Sequence, residues 1–195
     1  MYEVVERFER KIAKYAGAKY AIVVNSCTNA LLLACAYLKV KEVIIPHKTY
    51  VSVPMSIIHA GGKVKFHKNK WQGMYQLKPY PIWDSARLLT SGMYKKGQYI
   101  CLSLHWAKTL NLGQGGVILH DNPKAQKWFK RARFDGRTPG VPPKKDNFDF
   151  IGWHCYMSPR DAADALTRLY FLPKHNKPLP MDDYADLSKY KILNS

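Results

Sequence analysis

Lys108 has the setting in this chain that most suggests covalent chemistry. It sits in SLHWAKTLNLGQGG, just after an apolar run and ahead of Gly113, Gly115 and Gly116. A lysine that follows a buried strand and precedes a glycine-rich turn is a candidate amine nucleophile. The glycines permit a tight turn and close backbone approach. Taken alone, a lysine in so basic a chain is more often a solvated cation. Asp84 ends the apolar run Tyr80–Trp83 and is followed by small residues. It reads either as the cap of the next turn or as a carboxylate facing a heterocyclic nitrogen, which it would keep protonated. Asn25-Ser26-Cys27-Thr28 joins a strand pattern to a helix pattern. Free N–H groups and the dipole at a helix N-terminus favour a phosphate, although Ser or Thr there is most often a plain cap. Tyr50, after Pro46, is ordinary core material unless it faces a ligand ring.

Such residues act only if the elements around them hold them together, and strand and helix patterns alternate along the chain. Val4, Val5, Phe8, Ile12 and Tyr15 fall on one helix face, stopped by Gly17. A strand at Tyr20–Val24 leads through the turn to a helix over Thr28–Leu38, then to a strand at Glu42–Ile45 stopped by Pro46. Val51–His59 reads as a helix with Pro54 in its first turn, Gly61-Gly62 breaks it, and Lys63–Phe66 is a third strand. Lys68–Lys78 reads as a loop. Strands follow at Tyr80–Trp83, Tyr99–Leu104 and Gly116–Leu119. Asp121 is the expected N-cap of a helix through Trp128 to about Arg133, and Arg137–Asn147 is an exposed basic loop. Ser158-Pro159-Arg160-Asp161 opens a helix to about Leu172, and the tail after Pro173 has no clear periodicity. Repeated strand–helix–strand units predict an α/β fold: three layers, α/β/α, around a mostly parallel central sheet. In such sheets ligands sit beyond the carboxyl ends of the strands, where these marked residues fall.

The chain has 195 residues, 47% of them hydrophobic, which excludes a disordered or low-complexity protein. With 31 Lys+Arg against 14 Asp+Glu it carries a formal +17, so anionic partners are expected: a nucleotide-bearing substrate, nucleic acid or an acidic surface. The four cysteines form no CxxC pair, and no His cluster has ligand spacing, so no metal site is expected. Cys35 and Cys101 lie in apolar runs and read as buried thiols of a reducing compartment. The charged N-terminal segment is not that of a signal peptide, and the longest apolar stretch, Ala30–Leu38, is too short to span a bilayer. A cytoplasmic location, away from membranes, is the expectation.

Taken in order, these segments resemble the DegT/DnrJ/StrS sugar-nucleotide aminotransferases of the aspartate-aminotransferase superfamily, fold type I. FERKIAKYAGAKYAIVVNSCTNALLLA is similar to the family's segment leading into its phosphate-binding turn, and EVIIPHKTYVSVPMSIIHAGGKVKF to its next strand, helix and strand. IWDSA resembles its strand-end aspartate motif, SLHWAKTLNLGQGGVIL its lysine motif, and YMSPRDAADALTRL a later helix. The likeness runs from about Tyr2 to Leu172. It implies pyridoxal 5'-phosphate as cofactor, held by Lys108 as a Schiff base, with Asp84 paired to the pyridine nitrogen and Tyr50 stacked on the ring. Ser26, Cys27, Thr28 and Ser103, with backbone N–H groups, would hold the phosphate. The implied reaction moves an amino group from glutamate or glutamine to a keto-sugar nucleotide, in a homodimer with active sites at its interface. The protein's share of such chemistry is orientation, ring electronics and proton transfer by the lysine.

The departures are specific. Cys27 stands where a glycine is usual, and Arg87 occupies the place of a glutamine or histidine near the ring hydroxyl. His154 stands where an asparagine reaches the partner subunit's phosphate, and Tyr156 replaces an arginine. The chain is far shorter than typical members. The segment between Phe66 and Asp84 is reduced, and residues 173–195 stand in place of the small domain, leaving 1–172 as a shortened cofactor-binding large domain. Such trimming would suit a compact viral or phage-like genome. A second reading keeps the fold but not the catalysis: a basic module for nucleic acid or a larger assembly, with Arg131, Arg133, Arg137, Lys144 and Lys145 as its footprint.

Overall fold

The computed structural model describes residues 3–194, so Tyr2, where the family likeness begins, lies outside them. Helix α1 (Glu3–Ala16) opens the chain. Its Val5, Phe8, Ile12 and Ala16 are buried, Glu3 and Glu6 lie in its first turn and Lys14 in its last, so the charges complement the helix dipole. Gly17, at φ +80°, ends it in the left-handed region. Next come β1 (Tyr20–Val24), α2 (Cys27–Tyr37), β2 (Glu42–Pro46), α3 (Ser52–His59) and β3 (Lys63–His67). They are followed by β4 (Tyr75–Leu77), β5 (Ile82–Asp84), β6 (Tyr99–Ser103), β7 (Gly116–His120), α4 (Pro123–Ala132) and α5 (Pro159–Phe171).

Five strands form one sheet in the order β1-β7-β6-β5-β4, and β2-β3 form a second. Ile44 and Lys78 exchange two backbone hydrogen bonds, at 2.8 and 3.1 Å, so the small sheet extends the edge of the large one. Successive side chains alternate between two apolar layers. Ile22, Val24, Cys101 and Ile118 pack with α2, α3 and α4, while Ala21, Val23, Leu102 and Val117 pack with α1 and α5. This is the three-layer α/β/α architecture.

The expected mostly parallel sheet is corrected. In the large sheet β1–β7, β6–β7 and β4–β5 are antiparallel and only β5–β6 is parallel; β2–β3 is parallel as well. The reason lies in the connections. A parallel pair needs a crossover of a dozen or more residues, usually helical, whereas an antiparallel pair closes through a short link. Neither the link from β4 to β5 nor the lysine loop from β6 to β7 contains a helix.

Three local expectations change too. The supposed loop at 68–78 contains β4, whose three residues are too few for an alternation signal. Asn122, not Asp121, caps α4, accepting from the N–H groups of Lys124 and Ala125 with Pro123 in the first turn; Asp121 instead accepts from the N–H of Gly97 at 2.9 Å. The basic loop contains a short 3-10 turn at Pro143–Lys145.

Charges also bind the layers. Glu9, buried on α1, accepts from the N–H of Val23 at 3.0 Å and pairs with Arg133, which donates in turn to the carbonyl of Val23 at 2.6 Å. Beyond α5 the chain runs back as a strap across the molecule. The side chain of Asn176 donates to Tyr15, Leu89 and Pro173, the N–H of Leu179 to the carbonyl of Arg87, and the N–H of Leu187 to the carbonyl of His47. No helix among the described residues is long and apolar enough to cross a membrane, and none of their His, Cys, Asp and Glu side chains cluster as a metal site.

Candidate functional site

The turn after β1 is built by a side chain and a glycine. Ser26 caps α2 in extended backbone, accepting from the N–H of Asn29 at 3.1 Å, so its hydroxyl takes the plain capping role. Cys27 and Thr28, in the first turn of α2, lack intrahelical partners for their N–H groups, as the start of any helix must. Thr28 donates to Ser52 of α3 at 2.8 Å. The opposite wall is Gly116 on β7. A Cβ there would lie 2.3 Å from the Ser26 carbonyl oxygen and 2.6 Å from the Cys27 nitrogen, so a bare backbone is required for strand and turn to meet. Burial holds the Cys27 thiol well above its ordinary range and therefore neutral.

Asp84 closes β5, 4% exposed. Its Oδ1 accepts from the N–H of Ala86 at 2.9 Å and its Oδ2 from the Tyr75 hydroxyl at 2.9 Å. The Tyr75 proton is committed to the carboxylate, so the Thr49 hydroxyl, 2.6 Å away, must donate to Tyr75. Burial pushes the Asp84 pKa up, while the Ala86 N–H, the Tyr75 hydroxyl and the charge of Lys108 pull it down. Asp84 thus caps the turn with one oxygen and is held by tyrosine through the other. Tyr75 and Thr49 were missed by sequence reasoning; only the register Tyr75 opposite Asp84 exposes their role.

Lys108 stands on the loop between β6 and β7. The loop is closed by Leu104 N–H to Gly115 carbonyl and Leu112 N–H to Leu104 carbonyl, both 2.9 Å, with the Lys108 N–H on the His105 carbonyl at 2.9 Å. Gly113 and Gly115 adopt φ +103° and +150°, conformations that L side chains rarely take. Burial first, and then the charge of Arg87, lower the Lys108 pKa. Ser103 ends β6, its oxygen 3.4 Å from the His105 N–H.

One cavity of about 410 Å³ collects Ser26, Cys27, Thr28, Tyr50, Asp84, Ser103 and Lys108. Tyr50 contributes an open ring, 58% exposed, and is not core material. Two expected site residues stand apart from these. Arg87 is buried and paired with Asp182 of the strap, itself a lining residue with no local mark in the sequence. His154 lies outside, its side chain 71% exposed and its Nδ1 2.9 Å from Asp135, with Tyr156 packed against its ring. The proposed basic footprint is dismantled in part. Arg133 faces inward to satisfy the buried Glu9, and Arg131 is held by the exposed Asp149 and the Gly136 carbonyl.

The sequence and the fold have relatives. Residues 1–75 match the model of the DegT/DnrJ/EryC1/StrS aminotransferase family. A spore coat polysaccharide biosynthesis protein SpsC of Bacillus subtilis (strain 168) is 44% identical over 68 residues, 32% of this chain and 17% of that protein. A UDP-4-amino-4,6-dideoxy-N-acetyl-beta-L-altrosamine transaminase of Campylobacter jejuni (serotype O:2) is 39% identical over 178 residues, 68% of this chain and 47% of that one. The chain thus spans about half, or less, of the curated relatives it matches. Among solved structures, AtS13 from Actinomadura melliaura superposes with a TM-score of 0.76 at 18% identity, covering 87% of this chain and 60% of that one. Helicobacter pylori PseC, an aminotransferase involved in the biosynthesis of pseudoaminic acid, superposes with a TM-score of 0.71 at 16% identity, covering 86% and 57%.

Proposed function

We propose that this chain, which is similar to the DegT/DnrJ/EryC1/StrS aminotransferases, is a pyridoxal-phosphate-dependent aminotransferase acting on a keto-sugar nucleotide. The observation that carries the reading is the meeting of a partly buried lysine, a buried strand-end carboxylate and a helix N-terminus in one cavity of about 410 Å³. These residues fit the cofactor. The glycine-walled turn suits its phosphate, Tyr50 offers a flat face, and Asp84 supplies the carboxylate that a pyridine nitrogen requires. When bound, the cofactor supplies an electron sink for the amino-group transfer.

The chain's own residues would do the rest. Backbone N–H groups of Cys27 and Thr28 would hold the anion at the positive end of α2, aided by Ser103 and by the hydroxyl proton of Ser26, whose oxygen accepts from Asn29. Asp84 would pair with the pyridine nitrogen and keep it protonated, and Tyr75 and the Ala86 N–H favour its ionised form against burial. Lys108 carries the covalent attachment and moves the proton; its lowered pKa makes the free amine more accessible near neutral pH. Glutamate or glutamine is the proposed amino donor, and the basic surface suits a diphosphate-bearing acceptor. A homodimer would bring His154 to its neighbour's phosphate site. Residues 1–172 would be the cofactor-holding unit, with 173–195 a tail that runs back across it.

The test is the absorbance of purified protein with pyridoxal phosphate, wild type beside Lys108→Ala. A visible band in the wild type, bleached by borohydride and absent from the variant, is expected, with the reduced cofactor found by mass spectrometry on the Lys108 peptide. No band at saturating cofactor would overturn the reading.

A further inference from the structure

Of the expected cofactor set, Arg87 is held by the C-terminal strap. Its side chain is 7% exposed, and its Nη1 makes both of its side-chain contacts: an ion pair with Asp182, whose side chain is 56% exposed, and a bond to the Tyr184 hydroxyl at 3.3 Å. The Nε of Arg87 is buried without a hydrogen-bond partner. A guanidinium is a rigid fork of five donors, matched to two oxygens of one carboxylate. Here one prong is used by a monodentate acid and the adjoining edge has a donor unspent. A buried donor left unmade is a cost that a ligand can relieve.

The charges give the same indication. Lys108, which lines the cavity, feels the cationic charge of Arg87, with Asp84 and Asp182 as counter-charges. Asp182 lines that cavity, yet comes from the C-terminal strap. The strap is pinned on both sides of it, by Leu179 on the Arg87 carbonyl and by Leu187 on the His47 carbonyl. Between those pins Asp182 is held by a single ion pair, and its own side chain is open to solvent.

We propose that Arg87 is the receptor for the carboxylate of the amino donor, and that Asp182 is its placeholder within the chain, displaced when the donor enters. This rests on the aminotransferase reading above. A carboxylate rather than a phosphate is assigned because a carboxylate already occupies the guanidinium, while the phosphate-type position is at the start of α2. The exchange swaps one anion for another, so the charge around Lys108 stays balanced. A donor that engages both Nε and Nη gains a bidentate pair where Asp182 makes a single contact.

The experiment uses the full chain freed of cofactor, titrated calorimetrically with glutarate, a dicarboxylate that carries no amine. Wild type is expected to bind it, and Asp182→Ala to bind about threefold to tenfold more tightly, because the closed fraction no longer subtracts from the apparent affinity. Arg87→Gln is expected to lose binding by more than about tenfold and Arg87→Lys to fall between, since a lysine keeps the charge without the fork. Asp182→Ala leaves the buried Arg87 without its counter-charge, so far-UV circular dichroism checks the fold of all the variants. Trp71, stacked on Tyr184 at 6.3 Å, supplies a second readout, with Trp71→Phe as its blank. Its emission should shift with glutarate in the wild type and be already shifted in Asp182→Ala.

Equal glutarate affinity in wild type and Asp182→Ala would overturn the proposal, as would unchanged binding in Arg87→Gln or none in any variant. Pyrophosphate bound more tightly than glutarate, with the same dependence on Arg87 and Asp182, would overturn the carboxylate assignment. Because no cofactor is present, a failed absorbance test beside an intact glutarate pattern would sink the aminotransferase reading and leave the receptor standing.

Discussion

A carboxylate buried as deeply as that of Asp84 stays ionised only while donors surround it, which makes Tyr75 the residue on which it depends. Tyr75→Phe removes a hydrogen bond to a charged group and should lower the unfolding free energy by about 1.5–3 kcal/mol at neutral pH. The bond favours the ionised form, so its loss raises the Asp84 pKa further, and the gap from wild type should narrow as pH falls and Asp84 protonates. Chemical denaturation of both proteins across pH measures this. Equal losses at all pH values would mean that Tyr75 only fills space. Lys108, Asp84 and the 25–28 turn could be picked from the sequence because residue type and strand-end position coincide in each. Tyr75, Thr49 and Asp182 could not, since a tyrosine in a three-residue strand or an aspartate in an aperiodic tail carries no local mark of its partner.

Among the elements, β7 bears the tightest constraint. Gly116→Ala puts a Cβ against immovable backbone 2.3 Å away, so turn and strand must separate. Gly113 has nothing within 4 Å of an added Cβ, and Gly113→Ala carries only the backbone strain of its positive φ, about 1–3 kcal/mol. Both variants should melt earlier than wild type, but only Gly116→Ala should also lose most affinity for pyridoxal phosphate, followed by absorbance titration. Similar cofactor affinity in the two variants would contradict the cradle. The helices were legible from their faces: Val5, Phe8 and Ile12 of α1 recur at helical spacing and are buried, and the Ser158-Pro159 start of α5 stands where expected. Strand direction was not legible, because the residues of β5 and β7 are equally apolar whichever way they run, and direction is fixed by links whose brevity the eye discounts.

The molecule as a whole has an acid-sensitive point far from the cavity. His120 is fully buried among Tyr20, Tyr99 and Phe129, and burial lowers its pKa from 6.5 to about 4. The unfolded chain therefore takes up this proton near 6.5 while the folded chain refuses it until about 4. Stability from this residue is intact above the upper value and lost as pH falls toward the lower, a span worth about 3 kcal/mol. His120→Gln should flatten the wild-type stability profile across that window, whatever its effect at neutral pH; an unchanged slope would mean the imidazole is already charged. The net charge of +17 was plain in the sequence, but its distribution was not. Arg133 is spent inside the fold on Glu9 and Val23, so a basic composition overstates the basic surface.

That inward arginine has a consequence for how the protein is made. It clamps residue 9 to residue 133, while β1 needs β7 for its ladder and α1 packs on α5. Elements within residues 3–24 are thus completed by elements within residues 116–171. At about 5–20 residues per second, α1 waits roughly ten to thirty seconds for its partner, with Phe8 and Ile12 uncovered. The nascent chain must therefore remain open until the sequence of α5 has emerged, and its exposure to chaperones and proteases is set by the translation clock, not by the speed of its own collapse.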